Sequence, residues 1–521
     1  MGYTGETFTI DCSKGGLTGN KNIDTIDPND MLSPSRNINL HENGRGKRGG
    51  TAHVLDAAIS GTPQIMGLYD FTLVGGTQFI VMGTNGGDVY KDKDTTIDTG
   101  MSTTNFYTFE TFEDELFICD GGTKPQTWDG SAAGTSDITS VPTDWTGSNY
   151  PQQLIKHGRG VSERLWAVGF AGTPQNVYAS ANGDGNDFSD ANTILIQIET
   201  GDGFGIVAGT EYNDNLFCFG KRKTYVIDDS DLDTANWGYD AASWEGGVAH
   251  WRLLIKTPSD LVAMQEDGEI YSVRAAQEYG DYKAASLTRP SLMHNWIKDN
   301  LRLSYMSHFH GVYDPTLRAV KIFCVRNGET TCDTALIYYI DRGVKDGWVI
   351  HDNQSSVSGY SACSSAIVRV GTGDFQTYTG GYSGEVWKLD QEDRNDNANA
   401  YYGGFRTPNM HMGNPRIRKN FKRGWVLMEP KGSYNLSVTA WVDGEVQTTK
   451  TVSMAGEGAA LGSFTLGTSL LGGDEVIEDD FVVGVNGKRI QLEIYNSTKD
   501  QDFFISSLQI DYKPLGKEPA N

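Results

Sequence analysis

The chain has 521 residues, 38% of them hydrophobic and 11% aromatic, which is enough for a sizeable core and excludes a disordered chain. Acids outnumber bases 67 to 43, for a net charge of −24, which excludes a broad phosphate-gripping surface of the kind nucleic-acid binders carry. No run of 18 or more apolar residues is present, so no membrane-spanning helix is predicted.

The first residues, MGYTGETFTIDCSKGG, lack a basic start followed by an apolar stretch, so no cleaved secretory signal is expected. Glu6 stands where a myristoylation pattern needs Ser or Thr. Residues 1–60 hold little periodic pattern and read as an extended N-terminal arm that leans on the rest of the protein or on a neighbouring subunit. This arm holds a first basic cluster, Arg45, Lys47 and Arg48. Its Gly44-Arg-Gly-Lys47-Arg48 lacks the spacing and the Ser/Thr of a phosphate-binding loop.

From residue 61 to 390 the apolar stretches are short, rich in β-branched and aromatic residues, and punctuated by Gly, Asn and Asp. That is the pattern of antiparallel strands, and the predicted class is all-β. Three stretches align without gaps: Phe112-Glu-Asp-Glu-Leu116-Phe, Val161-Ser-Glu-Arg-Leu165-Trp and Tyr212-Asn-Asp-Asn-Leu216-Phe. A fourth, Tyr313-Asp-Pro-Thr-Leu317-Arg318, replaces the aromatic, and a fifth around Leu261 is one residue shorter. Each reads as strand, polar turn, buried strand. The anchor leucines 116, 165, 216, 261 and 317 lie 49, 51, 45 and 56 residues apart. A propeller blade needs roughly 40–50 residues. Further aromatic pairs recur at Val89-Tyr90, Thr127-Trp128, Val177-Tyr178, Tyr225-Val226, Ile270-Tyr271, Ile337-Tyr338 and Val386-Trp387. A β-propeller of six or seven blades over 61–390 accounts for these repeats. The alternative is a set of stacked β-sandwiches, and the uneven spacing is the argument for it.

Within this region Pro290–Asn300 is the best helix candidate. Asn182–Thr193 resembles a calcium loop but has Thr193 where the twelfth-position glutamate belongs, so a polar loop between blades is expected. Asp228-Asp-Ser-Asp231-Leu-Asp233 reads as a solvated turn in the same way. His308-Phe-His310 would put two imidazoles on one strand face, with only Asp314 near in sequence, and reads as structural rather than metal-binding. The six cysteines include no C-x-x-C pair, and Cys324 and Cys332 flank an Asn327-Gly328 turn. No hydrolase, zincin or Walker motif is present, so no catalytic residue, metal or cofactor is assigned. With 67 acids many carboxylate pairs are conceivable, and propeller glycosidases remain the enzymatic alternative.

Residues 391–521 open with a polar linker, Gln391–Asn399. They continue with clear two-residue alternation that has lost the leucine–aromatic frame, which predicts a separate C-terminal β-sandwich. Gly484–Lys488 reads as a hairpin turn. A second basic cluster, Arg416, Arg418, Lys419, Lys422 and Arg423, has no acid within residues 416–423. Both clusters are candidate docking patches for an acidic neighbour, another copy of this chain included.

Several segments resemble the tail nozzle (tail hub) proteins of short-tailed bacteriophages. They are Gly121-Gly-Thr-Lys-Pro125-Gln-Thr-Trp128-Asp129-Gly130-Ser131, Arg159–Ala167 with Thr173–Ser180, and Tyr212–Ile227. Ser33-Pro-Ser-Arg36-Asn37 leading to Lys47-Arg48-Gly49-Gly50-Thr51 resembles the opening of that family. The resemblance covers residues 30–245 and implies a non-enzymatic virion protein, assembled in the host cytoplasm as a six-fold ring. Such a ring extends the DNA channel below the portal and a tail adaptor, retains the packaged genome, and carries a tail fibre, spike or tip protein. An acidic lumen would repel the phosphates of duplex DNA and let it slide. A non-catalytic receptor-binding propeller is the other reading.

Overall fold

The computed structural model describes residues 5–55, 57–93, 95–159, 162–275, 282–352, 358–456 and 476–517. Val161 of the second repeat lies outside them.

Seven four-stranded antiparallel sheets follow one another along the chain among the described residues. Their first strands are Ile65–Thr72, Thr108–Phe112, Gln153–Arg159, Ile206–Tyr212, Leu254–Lys256, His310–Asp314 and Ser364–Arg369. Each packs against the first strand of the next sheet, and the seventh packs against the first. The result is a closed ring, a seven-bladed β-propeller, with blades numbered here 1 to 7 in chain order. Glycine lets the inner strands approach closely. A Cβ on Gly209 of blade 4 would sit 2.5 Å from Ile155 of blade 3, and one on Gly311 of blade 6 would sit 2.3 Å from Ile255 of blade 5.

The repeats map onto blade anatomy. Leu116, Leu165, Leu216 and Leu261 lie on the second strands of blades 2 to 5 with no exposed surface. The turns before Leu116 and Leu216 carry two successive left-handed residues, Glu113-Asp114 and Asn213-Asp214, the geometry that matches strand twist in a two-residue hairpin. Leu317 is half-buried and precedes its strand, Ala319–Cys324, because Arg318 takes a left-handed conformation and turns outward to Asp341. The seven aromatic pairs fall one on each blade, always on its third strand. The predicted helix forms over Met293–Asn300, between blades 5 and 6. Cys324 pairs with Thr334 across its hairpin, and all six cysteines are buried and free.

Blade 7 takes its outermost strand, Gly50–His53, from the N-terminal region. One ring is thus closed by two distant parts of the chain. The remaining strands form two six-stranded sheets packed as a sandwich. One sheet runs Ile38–His41, Gly44–Lys47, Phe504–Lys517, Ile417–Met428, Ile477–Gly487, with Glu6–Asp11 also paired to Phe504–Lys517. The other runs Leu32–Arg36, Gly403–Arg406, Ile490–Asn496, Asn435–Val442, Glu445–Val446, with Lys450–Ser453 on Asn435–Val442. The N-terminal residues are extended, as the sequence predicts, but they are woven into both units and do not lie on the surface as an arm. The sandwich therefore joins residues 6–47 to residues 403–517 rather than forming from the C-terminal segment alone. Gly484–Lys488 is not a hairpin turn: Ile477–Gly487 and Ile490–Asn496 belong to different sheets, and the chain crosses the sandwich between them.

The two units share a core. Ile10, Leu40, Phe421, Ile494 and Leu508 of the sandwich belong to the same buried cluster as Phe219, Leu261, Phe323 and Trp348 of blades 4 to 6. Among the described residues no helix is long and apolar enough to cross a membrane.

Candidate functional site at the propeller axis

Four of the eight residues predicted as docking patches are buried. Arg45 has no exposed surface; its Nη2 donates to the Lys14 carbonyl at 2.7 Å and to Asn29, and its guanidinium lies over Phe405. Lys47 donates to the carbonyls of Thr498 (3.1 Å) and Gln501 (3.3 Å), and burial pushes its ammonium down to about 8. Arg48 makes a two-pronged pair with Asp396 at 2.7 and 2.9 Å, donates Nε–H to Asn37 Oδ1, and lies between the rings of Tyr360 and Tyr401. A two-pronged arginine–carboxylate pair with aromatic faces on both sides satisfies a cation that water cannot reach. This cluster is a clasp between sandwich and ring, and it offers no surface to a partner.

The second cluster divides. Lys419 is buried, where its ammonium donates to the carbonyls of His411 and Asn414 and burial lowers its pKa. Arg416 and Arg423 are exposed, and Arg423 pairs with Asp480 on the neighbouring strand at 2.5 Å. Arg418 and Lys422 are half-buried. Along Ile417–Met428 alternation turns Lys419 and Phe421 into the sandwich core and Arg418 and Lys422 away from it, and a bulge between Phe421 and Arg423 breaks the alternation so that Arg423 faces solvent.

The calcium-like loop is held by its own turns, with Asp184 and Asp187 accepting from the backbone N–H groups of Asn186 and Ser189. His308 and His310 do not share a face. His308 ends a short 3-10 turn and stacks on Tyr305, whereas His310 opens the inner strand of blade 6 and stacks on Phe323 at 4.8 Å. Among the described residues no group of three His, Cys, Asp or Glu is placed to hold a metal.

The axis of the ring holds the side chains that sequence reading missed. Trp251 and Arg252 sit on a 3-10 turn that leads into the inner strand of blade 5. Arg252 is 7% exposed. Its Nη1 donates to the His308 carbonyl before blade 6 at 3.3 Å, and its Nη2 donates to the Cys363 carbonyl before blade 7. Its guanidinium lies 3.7 Å from the ring centre of Phe106, before blade 2. One arginine thus ties four blades together across the axis. A cavity of about 240 Å³ adjoins it, lined by Tyr69, Gln153, His310, Ser364 and Ser365 among others. A second, of about 410 Å³, opens beside His250 and His308. Burial, and then the charge of Arg252, hold His308 and His310 below the ordinary histidine range and His250 at about 3. Burial pushes the Cys363 thiol up to about 11 and that of Cys332 to about 12. Arg252 is therefore a cation set among neutral imidazoles and thiols.

Carboxylates gather at the opposite mouth, in a cavity of about 380 Å³ with Glu110, Glu163, Glu211, Lys156 and Lys256. Lys156 pairs with Glu163 at 3.0 Å, and Lys256 pairs with Glu211. Burial pushes Glu110 up to about 7.

Ring and clasp define a β-propeller protein whose sandwich is shared between N-terminal and C-terminal strands. No protein-family model matches the chain, and no curated protein matches it. Among solved structures it is similar to BBS1N in complex with ARL6DN, at 10% identity over 66% of this chain and 98% of that one, with a TM-score of 0.40. It is also similar to YCF48 from Cyanidioschyzon merolae (10%, 65% and 98%, TM-score 0.38) and to the N-terminal domain of Nup159 (10%, 66% and 94%, TM-score 0.35).

Proposed function

We propose that this chain is a non-catalytic virion protein, a tail nozzle subunit of the short-tailed bacteriophage type. In this reading copies assemble as a ring below portal and adaptor, retain the packaged genome, let duplex DNA pass on ejection, and carry a fibre, spike or tip protein. The observation that carries it is where the resembling segments fall. Residues 121–131 hold the third strand of blade 2, residues 159–167 with 173–180 and residues 212–227 hold the second and third strands of blades 3 and 4, and residues 33–37 and 47–51 contribute to the clasp and to the strand that closes blade 7. The resemblance thus follows the parts that build this ring.

The axis adds a constraint. Arg252 reaches across the axis of a single propeller to residues before blades 2, 6 and 7, so in this reading DNA passes through a hole shared by several copies and not through one shaft. A head-to-tail interface repeated by rotation makes such a hole, and a net charge of −24 keeps phosphates from adhering to its wall.

Electron microscopy of the purified chain at high concentration, with and without virion lysate, tests this reading. The expected result is rings of several copies around an opening wide enough for duplex DNA. Propellers that remain single under both conditions would overturn it.

A further inference from the structure

Arg252 is a buried cation with no ion pair among the described residues, as Arg45, Lys47 and Lys419 are, and unlike them it borders the axial cavity. Arg48 and Lys321 each meet carboxylates, at 2.7 Å from Asp396 and 2.7 Å from Asp314. Arg252 forms no ion pair among the described residues, in a chain with 67 acids to choose from. Guanidinium has five N–H donors. Two bonds, to the carbonyls of His308 and Cys363, use two of them. Taking an ion out of water costs several kcal/mol unless an opposite charge or a full set of hydrogen bonds replaces the solvent.

A second unsatisfied group faces the same cavity. His310 is 3% exposed, and its Nε2 is buried with no partner among the described residues. Its Nδ1 lies 3.4 Å from the His308 carbonyl, the arrangement of a donor facing an acceptor. In that tautomer Nε2 is an acceptor without a donor. The cavity thus presents a cation seeking a negative oxygen and an imidazole seeking a proton donor. Ser365 supplies a hydroxyl beside them, Ser364 one that already donates to the Ile65 carbonyl at 2.7 Å, and a volume of about 240 Å³ admits a small molecule only.

We infer that the axial cavity between Arg252 and His310 binds a small phosphate-bearing anion, inorganic phosphate or a compact phosphate monoester. Such a group carries both functions on one centre: anionic oxygens for the guanidinium, and a P–OH that donates to His310 Nε2. A carboxylate supplies only the first. The ligand replaces the missing counter-charge and ties together blades 5, 6 and 7, which supply Arg252, His310 and the two serines.

The test uses the full chain, labelled with ¹⁵N-histidine and titrated at neutral pH in phosphate-free buffer. Inorganic phosphate, glycerol phosphate and malonate are added separately, with ring signals read by NMR and heats by calorimetry. Saturable shifts of the His308 and His310 signals are expected with inorganic phosphate. Malonate is expected to bind at least about ten-fold more weakly, the equivalent of ~1.4 kcal/mol. Glycerol phosphate distinguishes the sources: tighter binding than phosphate assigns a monoester, and equal or weaker binding assigns the free ion. Arg252→Gln should weaken phosphate by more than ten-fold, and Arg252→Lys, which keeps the charge, by less. Absence of a saturable shift with phosphate up to tens of millimolar overturns the assignment, as does malonate binding as tightly as phosphate. The wild-type titration decides by itself if either variant does not fold.

Discussion

Buried charge is met differently from one residue to the next. Arg48 has Asp396, and Lys321 has both Asp314 and Asp390. Lys47 and Lys419 rely on backbone carbonyls. Glu110 is met only in part: the backbone N–H groups of Thr111 and Lys156 face it, but the lysines nearest it are engaged with Glu163 and Glu211, and burial outweighs these contacts and pushes it from an ordinary 4.5 to about 7. Between those values the folded chain holds a proton that the unfolded chain has released. Its contribution to stability is therefore full below pH 4.5 and is lost as pH rises through 7. Glu110→Gln removes the titration. The variant should match wild type near pH 4 and exceed it at pH 8 by about 2 kcal/mol, the shift discounted for partial solvent access. Urea midpoints of the two proteins at both pH values check this, and a difference that does not change with pH would refute the assignment.

At the scale of elements, the joint between ring and sandwich depends on the clasp. Asn37 takes a left-handed conformation (φ 58°) that a short polar side chain tolerates. It donates to Asp352 Oδ1 and to the Tyr402 carbonyl, and it accepts from Arg48 Nε and the Asp352 backbone N–H. Asp396 takes the two prongs of Arg48. Removing one member strands the other, so Arg48→Met should lower unfolding free energy by about 3–5 kcal/mol. The double variant Arg48→Met with Asp396→Leu leaves no orphan charge and should recover most of that loss. Equal losses in the single and double variants, read from denaturant midpoints, would show that packing of the side chain matters here and its charge does not. The same elements mark the limit of what the sequence reveals. The blades are legible because each repeats one buried leucine frame and one aromatic third strand. The clasp is not, because LSPSR and GRGK show no alternation of apolar and polar residues: each pairs with a strand hundreds of residues away, GRGK in addition to its local hairpin with Ile38–His41, and the groups that fill the interior are cations. A basic run in an acidic chain reads as surface until its counter-charges are located. Arg252 is hidden for a related reason, since its role comes from four blades meeting at one point and from no local pattern.

For the whole molecule, the chain is tied at two places by its own beginning. Gly50–His53 completes blade 7, and Glu6–Asp11, Leu32–Arg36, Ile38–His41 and Gly44–Lys47 complete the sandwich. The strand Phe504–Lys517 pairs with Glu6–Asp11 and Gly44–Lys47 as well as with Ile417–Met428, so N-terminal and C-terminal residues alternate within one sheet. Each fragment of a chain cut between ring and sandwich would still be paired with the other along these ladders and through the shared core. Ala398, Asn399 and Ala400 are exposed and lie between the last blade strand and Gly403–Arg406, which makes them the place to cut. With a specific protease site inserted there, complete cleavage should give two bands on a denaturing gel. In native buffer the same sample should elute from a sizing column as one species at the volume of the uncut chain. Had the sandwich been a C-terminal domain on a linker, residues 399–521 would elute separately. Co-elution that persists at high salt would further show that apolar packing and strand pairing hold the fragments together, since screened surface ion pairs would have weakened.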